Sequence, residues 1–305
     1  MSAVSESMNR RMTLGLLASR YGFDLDPAFA TEVTVTSIAD DIDSVRPGAL
    51  FMPSMQVDEQ QLRQVQALGA YGAVVPHALR GKTDGVQIPL IYAEPTAQQL
   101  GKLASEMAGS PSDSLAVFAV AGSNTQTVEQ GVRDLADFLH MLGNPVGVIS
   151  AGNSQSLERF LDLNYPLSIL DVQRTMAVCA EDGAAAVILA LSEETLNDDA
   201  LQSVNVDVLG CDDKGLSEAE IVKSVARFGC TVGKQTHIAG RTQESDALAA
   251  QATEAYGQTD SSALSLSIAM VLAAGVRKAN SKSALRVSRE LHQSRSERRR
   301  TLIRY

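Results

Sequence analysis

The residues whose types and spacing could do chemistry lie in Val117–Val128, VFAVAGSNTQTV. An apolar run ends in a short polar loop that opens a helix, the arrangement in which free backbone amides and the positive end of a helix meet phosphate. Such a loop needs glycine so that backbone can approach the phosphates, lysine to offset their charge, and a Ser/Thr hydroxyl for magnesium. Gly122 and Thr127 stand at suitable places, and with Asn124 and Gln126 they form a vestigial nucleotide-binding set. Thr125 and Gln126 occupy the places where Gly-Lys is expected. Threonine resists the positive φ that glycine tolerates. Glutamine brings a neutral amide where a cation is needed. A hydrogen bond to a charged group contributes about 1.5 to 3 kcal/mol net, and a neutral donor recovers only part of that. Two readings stay open, a plain strand-turn-helix corner and a phosphate loop without its cation.

Other candidates are weaker. Gly229–Thr236, GCTVGKQT, places three residues between its glycines and Gln235 at the hydroxyl position, so it reads as a polar turn before a short strand. His77, His140, His237 and His292 are far apart with no metal-ligand spacing, and no metal site is expected. No GxSxG elbow or Ser/His/Asp set is visible, so no catalytic residue is assigned. Cys179, Cys211 and Cys230 are odd in number and widely spaced, as expected of reduced, buried thiols.

The composition is that of an ordinary globular chain, and 305 residues suffice for two domains, each with its own core. A formal charge of -10 opposes nucleic-acid binding by the body of the protein. No run approaches the roughly 20 apolar residues of a membrane span. Arg10 and Arg11 precede the apolar patch Leu14–Ala18, which is too short for a signal peptide, so the chain is expected in the cytoplasm. Arg286, Arg289, Arg295, Arg298, Arg299, Arg300 and Arg304 face only Glu290 and Glu297, a basic end suited to an anionic partner or to a solvated helix.

The elements that must position the loop read as strands alternating with helices. Strands are expected at Val33–Ile38, Ala49–Pro53, Gly72–Val75, Ile88–Tyr92, Leu115–Val120, Val146–Ile149, Ala186–Leu191 and Val206–Leu209. Asp58–Leu68 and Thr127–Leu142 have helical spacing. Thr96 with Gln99, Ser168 with Asp171 and Ser217 with Glu220 mark helix starts. Gly109, Gly143 and Gly183 mark helix ends, and Asp260 opens a long apolar helix that closes at Gly275. Gly109–Ser114 is the best linker. The fold class is therefore α/β, with a small N-terminal α/β domain in residues 1–110 and a doubly wound, mainly parallel-sheet domain in residues 111–280. Residues 281–305 form a basic tail or helix.

The order of motifs resembles the Mur ligases, and among them the UDP-N-acetylmuramoyl-tripeptide synthetase branch. Thr36-Ser37-Ile38, then Asp41, then Val45-Arg46-Pro47-Gly48-Ala49-Leu50-Phe51 is similar to the family's T-G-I-x-x-D-S-R-x-V-x-P-G-D-L-F. Asp58 followed by Leu68–Val75 resembles D-G-x-x-F and G-A-x-A-V-V, and Ala121–Val128 aligns with TGTNGKTT. Pro166–Gln173 resembles T-T-P-x-x-x-D-x-Q with Asp171 and Gln173 kept, and Asp260–Gly275 resembles the helix that begins N-x-x-N-A-L-A-A. The resemblance covers about residues 30–280 and implies a UDP-sugar domain, with Ser37, Asp41 and Asp58 near its ligand, followed by a P-loop ATPase-like domain.

The departures fall where the family's chemistry occurs. The P-loop lysine is Gln126, the acidic residue that supports magnesium is Ala190, the histidine of M-E-V-S-S-H is Glu194, and the paired threonines are Asn164 and Tyr165. The D-S-R triplet is Asp41-Ile42-Asp43, and neither T-N-x-x-x-D-H-L-D nor a counterpart of the third domain is found. Each lost electrostatic contact of this kind costs about 10² to 10³ in rate. The resemblance with these losses implies a pseudoenzyme of peptidoglycan precursor synthesis that uses no cofactor. It would bind a UDP-N-acetylmuramoyl peptide or another cell-wall enzyme. The alternative is an active ligase using ATP and magnesium through a divergent site or a partner-supplied domain. A third reading is an interaction protein working through its basic tail.

Overall fold

Short apolar runs bounded by turn formers become strands here, and side-chain caps decide where the helices between them begin. The computed structural model describes residues 12–53, 56–213, 216–256 and 261–286. They fall in two compact units, Met1–Ser110 and Pro111–Tyr305.

The first unit runs β1 (Met12–Thr13), α1 (Leu14–Tyr21), β2 (Asp24–Asp26), β3 (Thr34–Val35), β4 (Ser37–Ala39), β5 (Ala49–Phe51), α2 (Glu59–Ala67), β6 (Gly72–Val75), β7 (Leu90–Tyr92) and α3 (Ala97–Met107). Strands β4 to β7 are parallel neighbours, β2 adds an antiparallel edge beside β7, and β1 pairs separately with β3. Phe51, Leu62, Val65 and Val75 share the apolar core between sheet and helix. The strand expected over Val33–Ile38 is in fact two, β3 and β4. Thr36 interrupts it by donating its backbone N–H to the Gly48 carbonyl at 3.0 Å.

The second unit runs β8 (Ala116–Ala121), α4 (Thr125–Met141), β9 (Val146–Ile149), β10 (Gln155–Ser156), β11 (Arg159–Phe160), α5 (Ile169–Glu181), β12 (Ala186–Ala190), β13 (Val208–Cys211), α6 (Glu218–Val225), β14 (His237–Ala239), α7 (Gln243–Tyr256) and α8 (Ser262–Ala273). Its sheet has the order β11-β10-β9-β12-β8-β13-β14, parallel from β9 to β14, with β10 and β11 as an antiparallel hairpin at one edge. That hairpin, α1 and α7 carry no clear signal in the sequence and break the strict strand-helix alternation expected from it. The α/β class with parallel-rich sheets is as the sequence implied.

Central strand β8 shows why both faces must be covered. Val117, Ala119 and Ala121 join one apolar layer with Val172 and Met176 of α5 and Ile221 of α6. Phe118 and Val120 join the other with Val132, Leu135 and Phe138 of α4 and Ile268 and Met270 of α8. Period-two alternation therefore feeds two cores, which a parallel sheet between helix layers requires. Burying a side chain the size of Phe138, which is fully inaccessible, contributes about 1.5 to 3 kcal/mol. Gly131 lets α4 lie close to β8, since a Cβ there would stand 3.1 Å from Val120 Cγ1.

Helix α4 begins at Thr125, two residues before the expected start, because Asn124 caps it. Capping boxes form at Thr96/Gln99, Ser168/Asp171 and Ser217/Glu220 as their spacing implied. The long apolar helix α8 starts after Ser261, and Asp260 lies outside the described residues. Gly229–Thr236 is a turn before β14, with the Gly233 N–H donating to Thr236 Oγ1 at 3.0 Å. Residues 278–286 are helical, while Arg10, Arg11, His292 and the basic run from Arg289 to Arg304 lie outside the described residues.

Candidate functional site

The sheet order of the second unit fixes where a site can form. The chain leaves β8 for β9 on one side and later crosses to β13 on the other, so β12 and β13 flank β8. In a doubly wound sheet the crevice beyond the carboxyl ends of such strands is where ligands bind. Three loops meet there, Gly122–Asn124 after β8, Leu191–Glu194 after β12, and Asp212–Asp213 after β13. They enclose a pocket of about 390 Å³. Its walls are Ala121, Gly122, Ser123 and Thr125, then Leu191, Ser192, Glu193 and Glu194, then Asp213, with Ser224, Val225, Arg227 and Phe228 closing the far side.

The start of α4 forms one wall, and two of its first-turn amides, those of Gln126 and Thr127, are engaged. Asn124 has extended backbone (φ −131°, ψ 122°), and its Oδ1 accepts the N–H of Gln126 at 2.8 Å and that of Thr127 at 3.4 Å. Asparagine is among the best residues for this role because its short side chain reaches back to the first turn. An amide oxygen thus sits at two of the backbone donors in the first turn. Of the four loop residues expected to hold nucleotide, Gly122 lines the pocket, whereas Asn124, Gln126 and Thr127 are exposed and outside its lining.

Two carboxylates tie the same loop from opposite sides. Ser123 Oγ donates to Asp213 Oδ1 at 2.8 Å, and Thr125 Oγ1 donates to Glu194 Oε2 at 2.7 Å. The Thr125 hydroxyl, helped by Glu194's own backbone amide, holds the Glu194 carboxyl below its ordinary range. Arg227 brings positive charge, but Asp198 takes its Nη2 at 2.9 Å and Glu193 takes its Nη1. These partners, Asp198 first, raise the Arg227 pKa further. Its guanidinium also lies over the Phe228 ring, 5.3 Å from the centroid. The pocket is therefore lined with carboxylate and hydroxyl oxygens, and its cation is engaged by acids.

A second polar cluster lies at the end of β9. Glu129, only 9% exposed, accepts the Ser150 hydroxyl and the Gly152 N–H at 3.2 Å. Tyr165 donates its hydroxyl to Ser154 Oγ at 2.6 Å, and Ser154 Oγ accepts the Ser150 N–H at 2.9 Å. The fully buried Thr195 accepts the Ala151 N–H and the Ser192 hydroxyl, each at 3.0 Å. Asp171 is occupied in the α5 capping box. Gln173 is buried and donates from Nε2 to the Gln202 carbonyl at 3.3 Å. Both residues kept from the expected motif are thus built into the fold. Ala190 ends β12 fully buried.

In the first unit, Asp41 and Asp58 follow the carboxyl ends of the neighbouring parallel strands β4 and β5, while Ser37 opens β4. Asp41 Oδ1 accepts the Ser44 N–H at 2.7 Å, and Asp58 Oδ1 accepts the Gln61 N–H at 2.8 Å as the cap of α2. Both carboxylates hold local turns. Among the described residues, no group of three or more His, Cys, Asp or Glu is placed to hold a metal ion. Cys179, Cys211 and Cys230 are free thiols, the first two buried. No helix among the described residues is long and apolar enough to cross a membrane.

No family model matches the chain. The UDP-N-acetylmuramoyl-L-alanyl-D-glutamate–2,6-diaminopimelate ligase of Lactiplantibacillus plantarum is 24% identical over 211 residues, covering 67% of this chain and 41% of that protein. The protein of the same name from Xanthomonas campestris is 26% identical over 242 residues, covering 76% and 46%. A crystal structure of MurF from Acinetobacter baumannii superposes with a TM-score of 0.54 at 13% identity, over 90% of this chain and 67% of that one. These relatives and fold neighbours are Mur ligases. The chain spans less than half the length of the curated relatives it matches. Its fold is Mur-ligase-like, and the pocket beyond β8 occupies the crevice such a doubly wound domain provides. Ser123, Asp213 and Arg227 were absent from the sequence-derived site. The available signal was Asp212-Asp213 directly after a strand, which in a parallel sheet faces the crevice.

Proposed function

We propose that this chain is a Mur-ligase-like protein of peptidoglycan precursor synthesis that binds or scaffolds without ligating and without using ATP. One observation carries the reading: the hydroxyls of Ser123 and Thr125, in a loop whose lysine position is Gln126, are held by the Asp213 and Glu194 carboxylates. A magnesium triphosphate would have to place its charge beside two carboxylates. No loop lysine compensates. The residues present therefore do not fit the nucleotide, and no reaction step is assigned to it. The similarity to the diaminopimelate ligases supports a UDP-N-acetylmuramoyl peptide as the ligand class, with Ser37, Asp41 and Asp58 on the first unit as the residues to test. Another cell-wall enzyme is the protein partner most in keeping with a scaffold role.

A second reading retains ATP, because Arg227 stands in the pocket and could turn from Glu193 toward a phosphate. Titration calorimetry separates the two. Mg-ATP is expected to give no heat of binding, and a UDP-N-acetylmuramoyl peptide is expected to raise the melting temperature. A clear micromolar isotherm with Mg-ATP would overturn the first reading in favour of the second.

A further inference from the structure

The crevice beyond β8 lies at the carboxyl ends of the parallel strands. A second recess, of about 700 Å³, lies at the amino ends of β9 and β12, where α4 and α5 finish. Residues 143–145 lead from α4 into β9 along one wall, and Asp182, the C-cap of α5, stands in another. The remaining wall is the turn of the edge hairpin, residues 156–159. That turn is held in one shape. Leu157 adopts a left-handed backbone (φ 56°), which a branched side chain rarely takes, and its N–H donates to the Val146 carbonyl at 3.1 Å. Ser156, only 1% exposed, donates its hydroxyl to Asp182 Oδ2 at 2.6 Å, and Arg159 Nη2 donates to the same oxygen. Arg159 and Asp182 thus match each other's charge, whereas Glu158 is exposed and makes no ion pair among the described residues.

We propose that this recess binds an ammonium group carried on an aliphatic chain. Its charge selects a cation. An α-helix ends in the equivalent of about −0.5 elementary charge, and two helix ends, of 17 and 13 residues, meet here. Together with Glu158 they leave the recess negative by about two charges. An anion would face both helix ends, with the one guanidinium in the lining already held by Asp182. A divalent metal is a poor fit, since Ca²⁺ or Mg²⁺ takes about six or more oxygens. Among the described residues no three His, Cys, Asp or Glu converge for one. Pro145 and Leu157 supply an apolar stretch of wall along which methylene groups can lie while the charged head stays among oxygens. A neutral imidazole at His140, in the last turn of α4, would add one more acceptor on the rim. The volume is that of small-molecule sites, which span about 300 to 1,000 Å³. The inference is independent of whether the crevice beyond β8 binds nucleotide.

Titration calorimetry of the full chain with cadaverine tests it, at about pH 8, where aliphatic amines are charged. Backbone amide shifts in NMR place the ligand. Heat of binding is expected, with shifts centred on Gly143, Leu157 and Glu158, and neither glutarate nor the uncharged diol of the same chain length should give them. Two substitutions at exposed positions carry opposite signs. Glu158→Gln should weaken cadaverine binding about two- to fivefold, and Arg159→Gln, which leaves Asp182 unmatched, should tighten it by a similar factor. Circular dichroism verifies that both variants are folded, and Glu158→Gln keeps the test valid should Arg159→Gln loosen the hairpin. Tighter binding of cadaverine than of Nα-acetyl-lysinamide points to a free diamine, and the reverse order to a lysine side chain of a partner protein. Silence with both amines, glutarate bound as tightly as cadaverine, shifts confined to the loops around Ser123 and Asp213, or binding unchanged in Glu158→Gln would each overturn the proposal.

Discussion

Asn124→Ala is the most direct perturbation of the site, because one side chain both starts α4 and occupies its amides. Its Oδ1 serves two backbone donors, at 2.8 Å and 3.4 Å, and the second is at the limit of a hydrogen bond. Replacing such a cap by alanine costs about 1 kcal/mol, within a range of about 0.5 to 2. For a domain of 150–250 residues each kcal/mol lowers the melting temperature by about 2 to 4 °C, so a loss of roughly that size is expected. Differential scanning calorimetry measures it, and hydrogen exchange over residues 122–130 places it in the second unit, since the two units can unfold separately. Asn124→Asp keeps the capping oxygen but adds a third carboxylate beside those holding Ser123 and Thr125. It should therefore fall below the parent at low salt and recover as salt screens the repulsion. Mg-ATP should shift neither protein. A ligand at a hundredfold excess over its Kd would add about 2.7 kcal/mol, or about 5 to 11 °C. A shift of that size in the parent protein, or an Asn124→Ala melt superimposable on it, would refute the reasoning.

Glu129→Ala leaves the buried Ser150 hydroxyl without its carboxylate acceptor and the Gly152 N–H with Ser150 Oγ alone, and should destabilise the second unit by about 1 to 3 kcal/mol in urea titration, with Glu129→Gln intermediate. Ser156 and then Arg159 hold the Asp182 carboxyl below its ordinary value of 3.8. A depressed carboxylate contributes stability above its unfolded pKa and loses it as pH falls through the folded value. The melting difference between the parent and Asp182→Asn should thus be full above about pH 5 and vanish in stronger acid. Burial pushes the Cys179 thiol up to about 11, so iodoacetamide at pH 8 should leave Cys179 unlabelled in the native protein and label it in guanidinium, read by mass spectrometry.

The local layer was legible in the residues because its causes lie within a few positions. Thr96 with Gln99, Ser168 with Asp171 and Ser217 with Glu220 satisfy amides three residues away, so their spacing alone places helix starts. Val146–Ile149 and Gly72–Val75 match strands β9 and β6 residue for residue, since continuous apolar runs between turns have few other uses in an α/β chain. Strands and helices of two residues or weak amphipathicity, such as β10 and β11, depend on their neighbours and escaped. So did the choice made by Asn124, which could equally have faced solvent.

From the sequence alone came an α/β chain with parallel sheets, a loop without its lysine, and a basic end on an acidic body. Those are properties of composition, of period and of single positions. What the tertiary structure decided is which side chains meet that loop. Asp213 is 90 residues from Ser123, Glu194 is 69 from Thr125, and Arg227 lies beyond both. No spacing rule joins them. They converge because β12 and β13 flank β8, so that the loops at three carboxyl ends open into one crevice. The missing lysine told of a lost cation. The fold added which groups meet that loop: the Asn124 side chain at two amides of α4, and the Asp213 and Glu194 carboxylates at the hydroxyls of Ser123 and Thr125.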